Sequence, residues 1–176
     1  MLVLFHNNKI KNMDKVTQQR IATLHPLVRD EVTKIIQEID TQLTGRATVR
    51  ITQALRTFAE QNKLYAQGRT SKGPKVTNAK GGQSIHNYGF AVDICLIIDG
   101  KTASWDMKED WDNDGIADWM ECVAIFKKHD WLWGGDWKTF KDGSHFEKAT
   151  LTVETKVNDW QSLINKKQDK NGYIIL

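Results

Sequence analysis

The chain has 176 residues, 40% of them hydrophobic and 27% charged, with a net charge of +3 and a pI near 8.8. That size suits one domain whose core needs no disulfides. Basic residues are interleaved with acidic ones, which excludes the concentrated cationic face of a nucleic-acid binder. The two cysteines, Cys95 and Cys122, sit in apolar runs without C-x-x-C spacing, so both are expected as free buried thiols.

The N-terminus, MLVLFHNNKIKNMDK, carries only four consecutive apolar residues after Met1. That is too short for a signal-peptide core or a membrane span, so no export address of the common kind and no membrane insertion are expected. From Met13 to Gly45 the spacing of Val16, Ile21, Leu24, Leu27, Val28, Val32, Ile35, Ile36 and Ile39 predicts helix. A new helix is expected at His25-Pro26, and Gly45 is expected to end it.

Ala47 to Thr52 alternates with β-branched residues and predicts a strand. Thr57 and Glu60 form a capping-box pattern that opens a helix through Ala66. Residues 68–82 read as a loop. Gly89 to Ile98 predicts a strand with both faces apolar, hence central.

Asp99-Gly100 is a turn, and Ile116 to Trp131 predicts a helix in which Trp119, Val123, Phe126 and Lys127 are spaced to bury one side. Asp142-Gly143 is a second turn before His145-Phe146-Glu147. Val153 to Ile164 has the pattern of a final helix and Tyr173 to Leu176 that of a short strand, with a partly mobile tail as the alternative. The order of elements predicts an α+β fold with a central antiparallel sheet and helices packed around it.

Asp93 is out of character in the run Phe90-Ala91-Val92-Asp93-Ile94-Cys95-Leu96. A carboxylate among aliphatic side chains is costly unless hydrogen bonds, an arginine or a metal compensates it. Of the five histidines, His6, His25 and His129 read as surface or capping residues. His86 and His145 each sit beside a glycine-containing turn and a strand. With Asp93 they make two imidazoles and one carboxylate, a donor set suited to zinc with an open fourth position. Spacing alone leaves scattered structural residues as the alternative. The seven residues from His86 to Asp93 require a turn, which Gly89 permits.

A second pattern is independent of these. Asp110, Asp112, Asp114, Asp118 and Glu121 occupy positions 1, 3, 5, 9 and 12 of a twelve-residue stretch, with Gly115 at position 6. That is the calcium-loop pattern of an EF-hand, although the preceding residues make a poor entering helix. A solvated acidic turn is the alternative. Six of the seven tryptophans fall between Trp105 and Trp137, where core packing is expected ahead of sugar stacking.

Several segments in fixed order resemble the zinc peptidases of bacterial peptidoglycan. They are Val49-Arg50-Ile51-Thr52, Leu55 to Gln61, Leu64 to Thr70, Ser84 to Asp93 and Gly134 to Glu147, spanning roughly residues 25–150. The family comprises L-alanyl-D-glutamate endopeptidases of phage endolysins and sporulating bacteria, with related D-Ala-D-Ala carboxypeptidases, on the fold shared with Hedgehog domains. The resemblance implies His86, Asp93 and His145 as zinc ligands and Asp142 as catalytic base. It also implies Arg56, Gln61 and Ser84 as substrate-binding residues, with Arg50 and Arg69 structural.

Glu147 is expected to orient His145 without ligating the metal. Many relatives carry proline before the last histidine, where this chain has Ser144. The segment Gly134-Gly135-Asp136-Trp137 through His145-Phe146-Glu147 is similar to the endopeptidase branch. A glutamate with a Trp-His pair, usual in the carboxypeptidases, is missing, and carboxypeptidase or silent wall-binding module stand as alternatives. The implied reading is a monomeric single domain, with residues 13–150 as peptidase core and 151–176 as C-terminal extension. Its partner is the peptidoglycan stem peptide and its cofactor Zn2+, with Ca2+ expected from the 110–121 pattern alone; it is expected to stay cytoplasmic until released onto the wall, with an autolysin exported by an unrecognised route as the alternative.

Overall fold

The computed structural model describes residues 13–176, so the apolar run at 2–5 and His6 lie outside the described residues. Asp14 caps α1 (Lys15–Thr23) by accepting from the backbone N–H groups of Val16 and Thr17. His25 caps α2 (Pro26–Gln42), its Nδ1 accepting from Leu27 N–H at 3.3 Å. Val28, Val32, Ile35, Ile36 and Ile39 line the inner face of α2 and are wholly buried. Each such side chain stabilises the fold by about 1.5–3 kcal/mol.

α2 stops at Gln42 instead of Gly45, because Leu43 already has extended backbone. Gly45 has another use. A Cβ there would meet the Trp111 carbonyl oxygen at 2.5 Å, so glycine lets the 110–121 loop close against the chain.

Five strands form one sheet: β1 (Ala47–Gln53), β2 (Ala91–Ile98), β3 (Thr102–Ser104), β4 (Trp131–Trp133) and β5 (His145–Lys148). All pairings are antiparallel, in the order β1-β2-β5-β4, with β3 also paired to β2. The expected α+β class and antiparallel sheet are therefore observed. β3 and β4, three residues each, were not anticipated as strands. β2 is buried along its length except at Asp93.

The register puts Asp93 directly across from His145, and Ala91 across from Glu147. Directly opposed residues share a face of the sheet, so register alone brings the carboxylate and the imidazole together. On the other side of β2 the register slips between Ile51 and Gln53, a bulge opposite Asp93.

The helices lock this sheet in place. Thr57 and Glu60 complete the capping box of α3 (Phe58–Ala66). From α4 (Asp118–Lys128), Phe126 stacks on Phe146 of β5 with ring centroids 4.2 Å apart. Lys148 of β5 is buried, its Nζ donating to Glu31 at 2.6 Å and to the His129 carbonyl at 2.8 Å. Cys95 and Cys122 are free and buried as expected. No helix among the described residues is long and apolar enough to cross a membrane.

The tail departs from expectation. Its helix is only α5 (Trp160–Leu163), and the chain end makes one bridge, Gln168 to Ile174, in place of a strand. Val153 is 99% exposed while Val157 and Leu163 reach the core, so the 153–164 periodicity does not mark one helical face. His25 is a capping residue but lies buried instead of on the surface. It stacks on Phe90 at 4.5 Å, and its Nε2 bonds the Ile174 carbonyl at 3.0 Å.

Gly89 sits between the turn at 85–88 and β2 with φ of +75°, and a Cβ would lie 2.5 Å from the His25 nitrogen. Gly89→Ala is therefore expected to lower stability by roughly 2 kcal/mol or more. Urea denaturation checks this, with a lower midpoint at unchanged slope as the expected result.

Candidate metal centre and cleft

His86 is delivered by a single turn of 3-10 helix, Ile85–Tyr88. Asn87 stitches that turn: its side-chain oxygen accepts from Gly82 N–H at 2.9 Å and its amide donates to the Arg56 carbonyl at 2.8 Å. Arg56 N–H in turn donates to the His86 carbonyl at 3.0 Å. The His86 ring is pinned from outside, its Nδ1 donating to the Ala54 carbonyl at 2.8 Å. The His145 ring is pinned the same way, its Nε2 donating to Glu147 Oε2 at 3.0 Å.

These outer acceptors settle the tautomers, so His86 Nε2 and His145 Nδ1 both present lone pairs inward. They lie 3.1 Å from each other, and 3.1 and 3.3 Å respectively from Asp93 Oδ1. Three inward-facing acceptors at such distances need a proton or a metal cation between them. Zinc bound to nitrogen and oxygen at about 2.0–2.1 Å needs donor–donor edges of about 3.3–3.4 Å in a tetrahedron. The triangle is nearly one face of such a tetrahedron, so the donor set fits the ion.

The local field has the same sign. Burial works against ionising Asp93, but the two imidazoles outweigh it and hold the carboxyl well below its usual range. Burial also works against an imidazolium, yet Asp93 and Glu147 push His145 up to about 9. Positive charge is favoured at the centre of the triangle.

The triangle opens on a cleft of about 500 Å³. Arg56, Ser84, Asp142 and Glu147 line it, with Trp137, Phe140, Asn158, Trp160 and the strip Val76 to Ala79 as further walls. Trp137 lies against His145 with ring centroids 5.1 Å apart. Asp142 Oδ1 accepts from Ser144 N–H at 3.2 Å and Ser144 Oγ–H at 2.8 Å. The serine thus supplies the hydrogen bonds that hold this turn.

A family profile described as D-alanyl-D-alanine carboxypeptidase, of the M15 peptidases, matches residues 77–148. The peptidoglycan L-alanyl-D-glutamate endopeptidase CwlK of Bacillus subtilis (strain 168) is 44% identical over 130 residues, spanning 72% of this chain and 74% of CwlK. The chain belongs to the M15 peptidase family. A crystal structure of the Serratia marcescens L-Ala D-Glu endopeptidase ChiX aligns with a TM-score of 0.53 at 20% identity, covering 80% of this chain and 93% of that one. At that identity the likeness speaks to the fold alone. The M15 segment 77–148 contains all three converging donors together with Asp142.

The placement of the remaining anticipated residues is mixed. Arg56 reaches the site, its Nη2 3.5 Å from Asp93 Oδ2. Burial lowers its pKa, and the nearby Asp93, Glu60 and Asp142 carboxylates oppose that shift. Gln61 does not line the cleft, and the direct substrate contact expected of it is at odds with its complete burial. Its Oε1 accepts from Arg56 Nη1 at 2.9 Å, and its Nε2 donates to the Ala79 carbonyl at 2.8 Å. Gln61 therefore braces both the arginine and the 76–79 wall.

Arg50 pairs with Asp14 at 3.2 Å, and Arg69 donates to the Tyr65 and Thr77 carbonyls, both away from the metal. Trp119 and Trp131 pack in the core, whereas Trp137 faces the cleft. Trp137 stood in a motif beside the anticipated ligands and was findable. Asn158 and Trp160 come from the tail and had no sequence signal.

The five acids of the 110–121 loop form two overlapping groups, Asp110–Asp112–Asp118 and Asp112–Asp114–Glu121, with ligand oxygens within 4.8 Å in each. Removing the Gln61 side chain would take this partner from both Arg56 Nη1 and the Ala79 carbonyl, leaving the guanidinium held by Asp93 alone among the described residues. Gln61→Ala is expected to cost about 1–3 kcal/mol of stability. Thermal or urea unfolding measures it, and a cost within error would mean that Gln61 is no brace.

Proposed function

We propose that this chain is a zinc-dependent peptidoglycan hydrolase that cleaves the L-Ala–D-Glu amide of stem peptides. The observation that carries the reading is the inward-facing lone-pair triangle of His86, Asp93 and His145 on a cleft that also holds Arg56 and Asp142. The 44% identity to an L-alanyl-D-glutamate endopeptidase supports the choice of bond.

His86 Nε2, Asp93 Oδ1 and His145 Nδ1 would hold the zinc. Bound there, zinc supplies Lewis acidity that polarises a carbonyl and acidifies water. The remaining steps belong to side chains. Asp142 Oδ1 is engaged by Ser144, which leaves Oδ2 to take a proton from the attacking water. The hydroxyl adds to the alanyl carbonyl carbon, the C–N bond breaks, and Asp142 returns the proton to the departing glutamyl amine.

Arg56 receives an acidic group of the stem peptide, for which its paired N–H donors are suited. Ser84 offers a hydroxyl on the cleft wall. Glu147 fixes the His145 ring so that its Nδ1 stays aimed inward. Trp137, Phe140 and Trp160 give the cleft apolar walls that limit water around the reacting amide. The same reading has the chain held in the cytoplasm until release and working on the wall as a single-domain monomer.

One observation favours a carboxypeptidase instead, namely the description of the matching family profile. Mass spectrometry of digested muropeptides separates the two: a new D-Glu amino terminus is expected, whereas release of terminal D-Ala would favour the carboxypeptidase. Asp142→Asn is expected to keep its zinc while turnover falls about 10²–10⁴-fold. Metal analysis and the same digestion assay check both halves, and undiminished turnover would remove Asp142 from the mechanism.

A further inference from the structure

The 110–121 loop contributes nothing to the cleft walls, yet it is built with unusual care. Asp110 folds it, Oδ1 accepting from Asn113 N–H at 2.7 Å and Oδ2 from Gly115 N–H at 2.9 Å. Gly115 has φ of +94°, which suits glycine at the sharp bend. Two further acids come from the first turn of α4. Asp118 is completely buried, with Oδ1 accepting from Trp111 N–H at 2.7 Å. Glu121 is 4% exposed, with Oε1 accepting from Gln42 Nε2 at 2.8 Å.

The second oxygens of these two carboxylates, Asp118 Oδ2 and Glu121 Oε2, are buried and have no hydrogen-bond partner. Both residues lie within the acid groups that share Asp112. Buried carboxylate oxygens without donors, clustered with three more carboxylates, must be neutralised, either by protons, toward which burial and the neighbouring acids push Asp118 and Glu121, or by a cation seated among them. An all-oxygen set of five carboxylates, three from the loop and two from the first turn of α4, matches calcium, whereas magnesium keeps most of its waters and zinc favours nitrogen or sulfur.

We propose that residues 110–121 bind one calcium ion through Asp110, Asp112, Asp114, Asp118 and Glu121, and that the ion fixes the Asp142 turn through Met107. A chain of contacts leads from the site to that turn. Asp118 N–H donates to the Glu109 carbonyl at 3.2 Å, and Asp106 caps the 106–109 turn by accepting from Lys108 N–H at 2.8 Å. That turn carries Met107, which is packed so closely on Gly143 that a Cβ there would meet its methyl at 1.8 Å. Gly143 follows Asp142, so the significance of the coupling for turnover rests on the hydrolase reading above.

The test uses full-length protein freed of metal on a chelating resin and reloaded with one equivalent of zinc. Calorimetric titration should show one calcium site per chain with Kd of about 10⁻⁵–10⁻³ M. Glu121→Gln and Asp110→Asn should each weaken it at least tenfold with zinc content unchanged and circular dichroism retained. No saturable binding, or equal binding in both variants, would overturn the site. Hydrogen exchange reads the coupling without any turnover: calcium should slow exchange at 106–121 and also at 142–146. Protection confined to 110–121 would overturn the coupling. Neither readout depends on cleavage, so a chain that binds calcium but releases no peptide would count against the hydrolase reading alone.

Discussion

Three electron-rich atoms, His86 Nε2, Asp93 Oδ1 and His145 Nδ1, are held within 3.3 Å of one another with their lone pairs facing inward. Left to themselves they repel. They stay together because each is fixed from behind by structure that has other reasons to exist. Asp93 sits on the most buried strand, His145 is set opposite it by sheet register, and the His86 turn is clamped by Asn87 and Arg56. The acceptors at Ala54 and Glu147 then decide which ring nitrogen is left bare. Scaffolding of this kind spends hydrophobic and hydrogen-bonding stability on an arrangement that is unfavourable until a cation joins it.

The surroundings divide the labour. Close to the triangle, Arg56 supplies a fixed positive charge and the buried Gln61 keeps it on station, while in the proposed mechanism Asp142 shuttles the proton. Farther out, the same polypeptide gathers five oxygen acids with no imidazole among them. The two sites differ in the way metal chemistry sorts ions: mixed nitrogen and oxygen donors in a rigid frame against all-oxygen donors in a loop. The acidic loop lies within the connection from Asp93 to His145, which also carries the Asp142 turn and ends at β5.

Much of this was legible in the sequence, and for definite reasons. The run around Asp93 was apolar on both faces, so the one carboxylate in it stood out and asked for a partner. Gly89 announced the turn that lets His86 reach Asp93, and the capping box at Thr57 and Glu60 fixed the start of α3. His145 and Asp142 were singled out by resemblance to a family; their pairing with Asp93 needed the sheet register, which spacing does not encode. β3 and β4 are too short to show a period. Gln61 has the same polarity whether it faces a ligand or braces an arginine, and only burial separates the two. Asn158 and Trp160 reach the cleft from a tail whose apolar spacing suggested a longer helix than α5.

The lone-pair triangle is tested most directly by diffraction from zinc-loaded crystals recorded on both sides of the zinc absorption edge. A single anomalous peak is expected about 2.0–2.1 Å from each of His86 Nε2, Asp93 Oδ1 and His145 Nδ1. A zinc-saturated protein with no peak between those three atoms, or with its zinc bound elsewhere, would contradict the account.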